Sequence, residues 1–300
     1  MILAALLLTV MGWSGQTGTI VVAHDNAIDG FNRTGEKKMW SAKGLESPSA
    51  IAVSPDGSTA VVLDGFANRV ALVTLADGAV EFHDTPATPL AAVFFGRDAW
   101  IILRDRSSVM RLSDQKEVPV ALDPAFIVAG VDNLYVYSRA EGVLQEIDPK
   151  AAAMRRTVET GSGASDLEIR RFEAFVCRPM VGKIVAIDLL KMSSRDVPCG
   201  QTPMDVAFDN AGTSYIADPT KQIAFVSKDP GEGRPVNLPT PADRIVSGGA
   251  GVYAFDSNSR TVYRISGHTA GTVATGVDAF VPTDKTLFWW DAKSGKLLHM

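Results

Sequence analysis

The sequence predicts an all-β chain built from one four-stranded unit used repeatedly, and three observations carry that expectation. First, Pro48-Ser49-Ala50-Ile51-Ala52-Val53-Ser54-Pro55-Asp56-Gly57 recurs as Pro203-Met204-Asp205-Val206-Ala207-Phe208-Asp209-Asn210-Ala211-Gly212, with weaker copies starting at Pro89, Pro124, Ala164, Pro241 and Gly276, 35 to 41 residues apart. Second, short runs rich in β-branched and aromatic residues alternate with turn residues about every 8–12 positions. Third, no apolar period of about 3.6 residues lasts three turns; Ala151 to Met154 is the one short helical candidate.

Each unit reads the same way. The opening run, small and apolar, closes with Asp56-Gly57 or Asn210-Ala211-Gly212, a hairpin signal. A second strand follows, as in Ala60-Val61-Val62-Leu63-Asp64, Trp100-Ile101-Ile102-Leu103 or Val252-Tyr253-Ala254-Phe255-Asp256. A third comes after a polar turn, as in Val70-Ala71-Leu72-Val73 or Ile184-Val185-Ala186-Ile187-Asp188. The fourth is more polar, as in Ala79-Val80-Glu81-Phe82-His83, and its charges blunt an exposed edge. Four strands in about 40 residues is the period of a β-propeller blade. Seven first strands and seven sets of the other three give seven blades, with Val277–Val281 supplying the strand missing ahead of Thr19–His24 and so closing the ring from both chain ends. Thr286–Met300, with its adjacent Trp289 and Trp290, is left over. Eight blades, with Ile2–Val10 as an extra first strand, is the alternative.

At the amino end, Ile2–Val10 is an apolar run too short for a bilayer span of about 20 residues. It reads as an export signal over residues 1–15, with small Gly12 and Ser14 at the cleavage site, followed by one propeller domain over 16–300. That places the protein in a secreted or periplasmic setting. The run carries no Lys or Arg, and it also fits a buried first strand or an uncleaved anchor.

Apolar residues make up 46% of the 300, which excludes a disordered chain. With 29 basic against 34 acidic residues, the net charge of −5 excludes a phosphate-neutralising nucleic-acid binder. Two cysteines, Cys177 and Cys199, exclude a cysteine-built zinc site but allow one disulfide within a single blade, in strands separated by a third.

The sharpest site signal is positional. Two residues after the repeat start, four consecutive units carry Asp166, Asp205, Asp243 and Asp278, where the earlier ones carry Ala50, Ala91 and Phe126. In a propeller this slot opens the innermost strand, so the four acids would share one side of the channel mouth. Carboxylates gathered there favour a cation between them, and calcium takes several oxygen ligands. These four are the candidate ligand-binding and metal residues; the competing reading has each one capping backbone N–H groups near its own strand start. A second series, Asp25, Asp64, Asp105, Asp218, Asp256 and Asp291, ends the second strands and is explained by Asx turns. His24, His83, His268 and His299 show no metal spacing, and there is no GxSxG elbow and no P-loop.

On Pro48–Gly57, Pro203–Gly212 and Ile20-Val21-Val22-Ala23-His24-Asp25 with Ala27-Ile28-Asp29-Gly30-Phe31, the units resemble YVTN-type β-propeller repeats, akin to NHL, amine-dehydrogenase-like and WD40-like ones. The YVTN tetrapeptide itself is absent. The resemblance implies the fold over nearly the whole chain after residue 18. Its functional implications are broad: scaffolds and binding proteins of the cell exterior, lactonases, lyases, and non-catalytic subunits of quinoprotein dehydrogenases. The expectation drawn here is a binding or scaffold module with a protein or small-molecule ligand at the acidic mouth. The alternatives are a divalent-metal lactonase-like hydrolase or lyase at the same place, or a quinoprotein-type subunit.

Overall fold

The computed structural model describes residues 9–231 and 233–300. Among them are eight antiparallel sheets, each a meander of strands consecutive in the chain; seven have four strands and one has three. We number them as blades by their first and last strands. Blade one runs from Val10–Trp13 to Lys38–Lys43, two from Pro48–Val53 to Val80–Asp84, three from Pro89–Phe95 to Lys116–Pro119, and four from Pro124–Ala129 to Ala153–Glu159. Blade five runs from Asp166–Arg170 to Ser193–Pro198, six from Asp205–Phe208 to Arg234–Asn237, and seven from Arg244–Gly248 to Thr269–Thr275. Blade eight is Ala279–Pro282, Leu287–Asp291 and Lys296–His299.

The expected count of seven is therefore corrected to eight. Blade one does not borrow a strand from Val277–Val281. Val10–Trp13 pairs with Ile20–His24, Val10 opposite Ala23 and Trp13 opposite Ile20, while Ala279–Pro282 opens blade eight. Val10–Trp13 hides its character because Gly12 lies against blade two, where a Cβ would stand 2.9 Å from a Val53 methyl. Contact between neighbouring first strands demands a residue that strand propensity disfavours. Residues 1–8 of the expected export signal lie outside the described residues. The helix expected at Ala151–Met154 is a turn running into the strand Ala153–Glu159. Asp148 Oδ1 accepts the N–H groups of Lys150 and Ala151, and Ala152 takes φ +47°, which ends any helical run.

The described residues form two compact units. One holds those up to Glu117 with Asp278–Val281 and Phe288–His299; the other holds Val118–Val277 with Pro282–Leu287. In the first, the first strands of blades one, two and three pack side by side. Its core comprises the layer of Val21, Ile28, Val62 and Val73 between blades one and two, that of Leu63, Phe94, Ile101 and Met110 between two and three, and Phe288 and Trp290 against Ile20, Val22 and Phe31. Trp40 locks blades one and two: its indole N–H donates to the Leu75 carbonyl at 3.1 Å, and its ring fills the space beside Gly30 and Gly78 that any Cβ would occupy.

In the second unit the first strands of blades four to seven stand in consecutive contact. Apolar layers lie between four and five (Tyr137, Leu144, Val176, Ile187), five and six (Phe175, Ile184, Ile216, Phe225), and six and seven (Ala217, Val236, Ala254, Tyr263). Cys177 and Cys199 are buried in the five–six layer, and the disulfide allowed between them is not formed. The third strand, Lys183–Asp188, separates them, with Ile184 paired both to Cys177 and to Val197.

Candidate functional site

A strand directs alternate side chains to one face, so Asp166 and Glu168 of blade five point the same way. Asp205 opens the adjoining first strand of blade six. Phe126 of blade four, Met204 and Phe208 at the first strand of blade six, and Asp243 and Arg244 at that of blade seven are among the other residues lining a cavity of about 590 Å³. The whole pocket belongs to the second compact unit.

Its floor is stitched from blade to blade. Asp166 Oδ2 accepts the N–H of Val206 at 3.2 Å, and Asp205 Oδ2 accepts the N–H of Ile245 at 2.9 Å. Ser165 Oγ donates to the Met204 carbonyl at 2.6 Å. Each acid thus holds the next blade's first strand through a backbone group.

Asp166 and Asp205 also hydrogen-bond to each other. Two carboxyl groups can do so only with a proton between them. Burial pushes both upward, Asp205 well above the usual carboxylate range, and the Asp166 charge adds to that shift. The shared proton belongs to the pair rather than to either residue. The pair titrates as a unit. Glu168 is raised to about 8, by burial first and the Asp166 charge second. At neutral pH Glu168 is therefore largely protonated, and the exposed guanidinium of Arg244 draws both aspartates down.

The four expected acids do not act alike. Asp166 and Asp205 form the pair. Asp243 also lines the cavity, but its carboxylate accepts the N–H (3.0 Å) and Oγ–H (2.7 Å) of Ser257 in its own blade. Asp278 belongs to the other unit, where its Oδ2 accepts the N–H of Ala292 at 2.7 Å. Local capping thus accounts for these two. Among the described residues no three His, Cys, Asp or Glu side chains are placed to hold a metal ion. Glu168 and Arg244 were not singled out from the sequence; each stands beside a flagged acid, Glu168 two residues after Asp166 and Arg244 directly after Asp243. The period of two along a strand is the signal that finds Glu168.

Within the second acid series, Asp64, Asp218, Asp256 and Asp291 cap backbone N–H groups, while Asp25 and Asp105 are exposed. Buried Asp64 accepts the N–H groups of Glu46 and Ser47 and pairs with Arg69. Buried Asp218 accepts from Gln201 N–H and Thr202 Oγ1–H. In the first unit, His24 stacks on Trp290 with ring centroids 4.5 Å apart and bonds buried Asp29 through Nε2 at 3.1 Å. Burial alone would raise the Asp29 carboxyl, but bonds from His24, Lys38 and Ser41 win and hold it at about 2.

No family model matches the chain, and no curated protein matches it in sequence. Solved structures do match in shape. The computationally designed protein Ika8 is 13% identical, with a TM-score of 0.77 over 98% of this chain and 95% of that one. The virginiamycin B lyase of Staphylococcus aureus is 14% identical, with a TM-score of 0.67 over 83% of this chain and 93% of its own. The β-propeller domain of Myceliophteria thermophila Cps50 (Swd1) is 14% identical, with a TM-score of 0.68 over 87% and 96%. At such identities the likeness shows the fold: this chain is a β-propeller. Among the described residues no helix is long and apolar enough to cross a membrane.

Proposed function

We propose that the chain is a ligand-binding propeller whose pocket takes a small molecule with an apolar body and an amine head. The observation that carries this reading is the proton-sharing Asp166–Asp205 pair opening into a cavity of about 590 Å³. The pair offers acceptor lone pairs to the head, while Phe126, Met204 and Phe208 offer apolar walls to the body. A cation entering the site displaces protons from the pair and from Glu168, so its affinity rises with pH.

Calorimetry with a panel of arylalkyl amines and the matching neutral alcohols tests this. Amines bind, and bind several-fold tighter near pH 9 than near pH 6; Asp205→Asn weakens binding and reduces the pH dependence to the part that Glu168 supplies. Equal binding of the alcohols, or an unchanged response in the variant, refutes the reading.

A second reading has its own support. A carboxyl kept protonated beside an ionised one is the arrangement of general acid–base chemistry. It would suit a lyase or a lactone-opening hydrolase, and one neighbour in fold is a virginiamycin B lyase. Turnover of a streptogramin B or of simple γ-lactones that disappears in Asp205→Asn favours the enzyme; binding without turnover favours the module. Export remains part of the proposal on the strength of the apolar run Ile2–Val10, and cell fractionation checks it.

A further inference from the structure

The far end of blade five's first strand has a different character. Asp166 begins that strand and Arg170 ends it, about 13 Å away at some 3.3 Å per residue. Arg170 pairs with Glu173, so Arg171 and Phe172 form a two-residue hairpin tip, with Arg171 at φ +58°. Phe172 is 48% exposed. It borders one small cleft with Val131 (62% exposed), from the first hairpin of blade four, and Leu190 (67% exposed), from the last hairpin of blade five. The corresponding first-hairpin turns in blades six and seven are small or polar, Asp209-Asn210-Ala211-Gly212 and Gly249-Ala250, so the apolar tips are confined to blades four and five.

The Leu190 turn of this display is held in place. Buried Glu146 grips the Arg156 guanidinium. Arg156 in turn donates to the Leu190 carbonyl at 2.9 Å and to the Leu189 carbonyl at 3.0 Å. Apolar groups fixed before binding lose little entropy on contact.

Beside the cleft lies a groove of about 770 Å³ that shares Arg171 and Phe172 and adds Lys228. Its acids are occupied: Glu173 by Arg170, and Asp209 by Tyr215 and the backbone of Ala211 and Thr213. The side chains of Arg171 and Lys228 carry no ion pair among the described residues. These two cations stand beside the apolar tips, of which the Leu190 turn is anchored through its backbone carbonyls.

We propose that this surface docks a peptide segment of a partner protein that carries a carboxylate next to a bulky apolar side chain. The apolar side chain seats among Val131, Phe172 and Leu190, and the carboxylate meets Arg171 and Lys228. Concavity favours a peptide over a flat lipid surface.

Panning a random peptide library against the intact chain tests the proposal, with an Arg171→Glu/Phe172→Ser double variant as counter-target. The enriched peptides are expected to place Asp or Glu beside Leu, Phe or Trp, and to bind the double variant at least tenfold more weakly. Both substituted side chains are exposed, so a matching thermal unfolding curve certifies the variant's fold. Arg171→Lys keeps most of the binding. Failure to enrich, enrichment without acidic residues, or equal binding to the double variant overturns the proposal. So does variant-sensitive sedimentation with phosphatidylserine-containing vesicles in the absence of peptide binding, which would assign the surface to a membrane.

Discussion

Glu168 shows how a single side chain records its surroundings. Its carboxyl, raised to about 8 by burial and by Asp166, holds a proton in the folded chain that it has lost in the unfolded chain anywhere between about pH 4.5 and 8. The folded state therefore binds more protons across that window, and stability falls as pH rises through it. Glu168→Gln removes the ionisation while keeping the shape. The variant is expected to match the parent near pH 4 and to exceed it by on the order of 5 kcal/mol near pH 9 in urea unfolding. A constant difference at both pH values would contradict the buried-acid assignment. His24 runs with the opposite sign: the bond to Asp29 raises its pKa above 6.5 against the effect of burial, so its stabilising contribution is complete below the unfolded value and fades as pH climbs through the folded one. At this scale the sequence was informative about where acids stand and uninformative about their partners. The slot shared by Asp166, Asp205, Asp243 and Asp278 was visible, but whether an oxygen reaches the next blade's backbone or its own loop depends on geometry that residue type does not encode.

At the scale of the strand, glycine decides how closely sheets approach. Gly30 sits under the Trp40 ring, where a Cβ would lie 2.1 Å from the nearest ring carbon. Gly30→Ala must displace the indole and its bond to the Leu75 carbonyl. The expected loss is about 2 kcal/mol or more, read as a lower denaturation midpoint with an unchanged slope. Gly12 follows the same rule against Val53, and it explains why blade counting from sequence fell one short. The repeats starting at Pro48, Pro89 and Pro124 coincide with first strands of the structure, because those segments combine a turn residue with an apolar run. Val10-Met11-Gly12-Trp13 shows no such pattern and follows a longer apolar stretch that reads as an export signal. The false helix at Ala151 has a related origin: alanines look helical until a left-handed Ala152 and the Asp148 cap impose a turn.

For the molecule as a whole, Val10–Trp13 is an edge worth testing. A chain begun at Gly15 lacks this partner for Ile20–His24 and leaves a row of backbone groups unpaired. Its thermal midpoint is expected to fall by roughly 5 °C or more, with the loss on the order of several kcal/mol. If the midpoint is unchanged, the strand contributes little and cleavage near Ser14 costs the fold nothing.

The stitches between blades five, six and seven have one further consequence. One oxygen of each of Asp166 and Asp205, the groups a guest would seek, is already committed to an amide of the neighbouring sheet. Filling the pocket and keeping those sheets in register therefore draw on one supply of lone pairs. A guest that takes too many would loosen its own seat, so selection for tight capture and selection for rigidity must pull against each other at these two side chains.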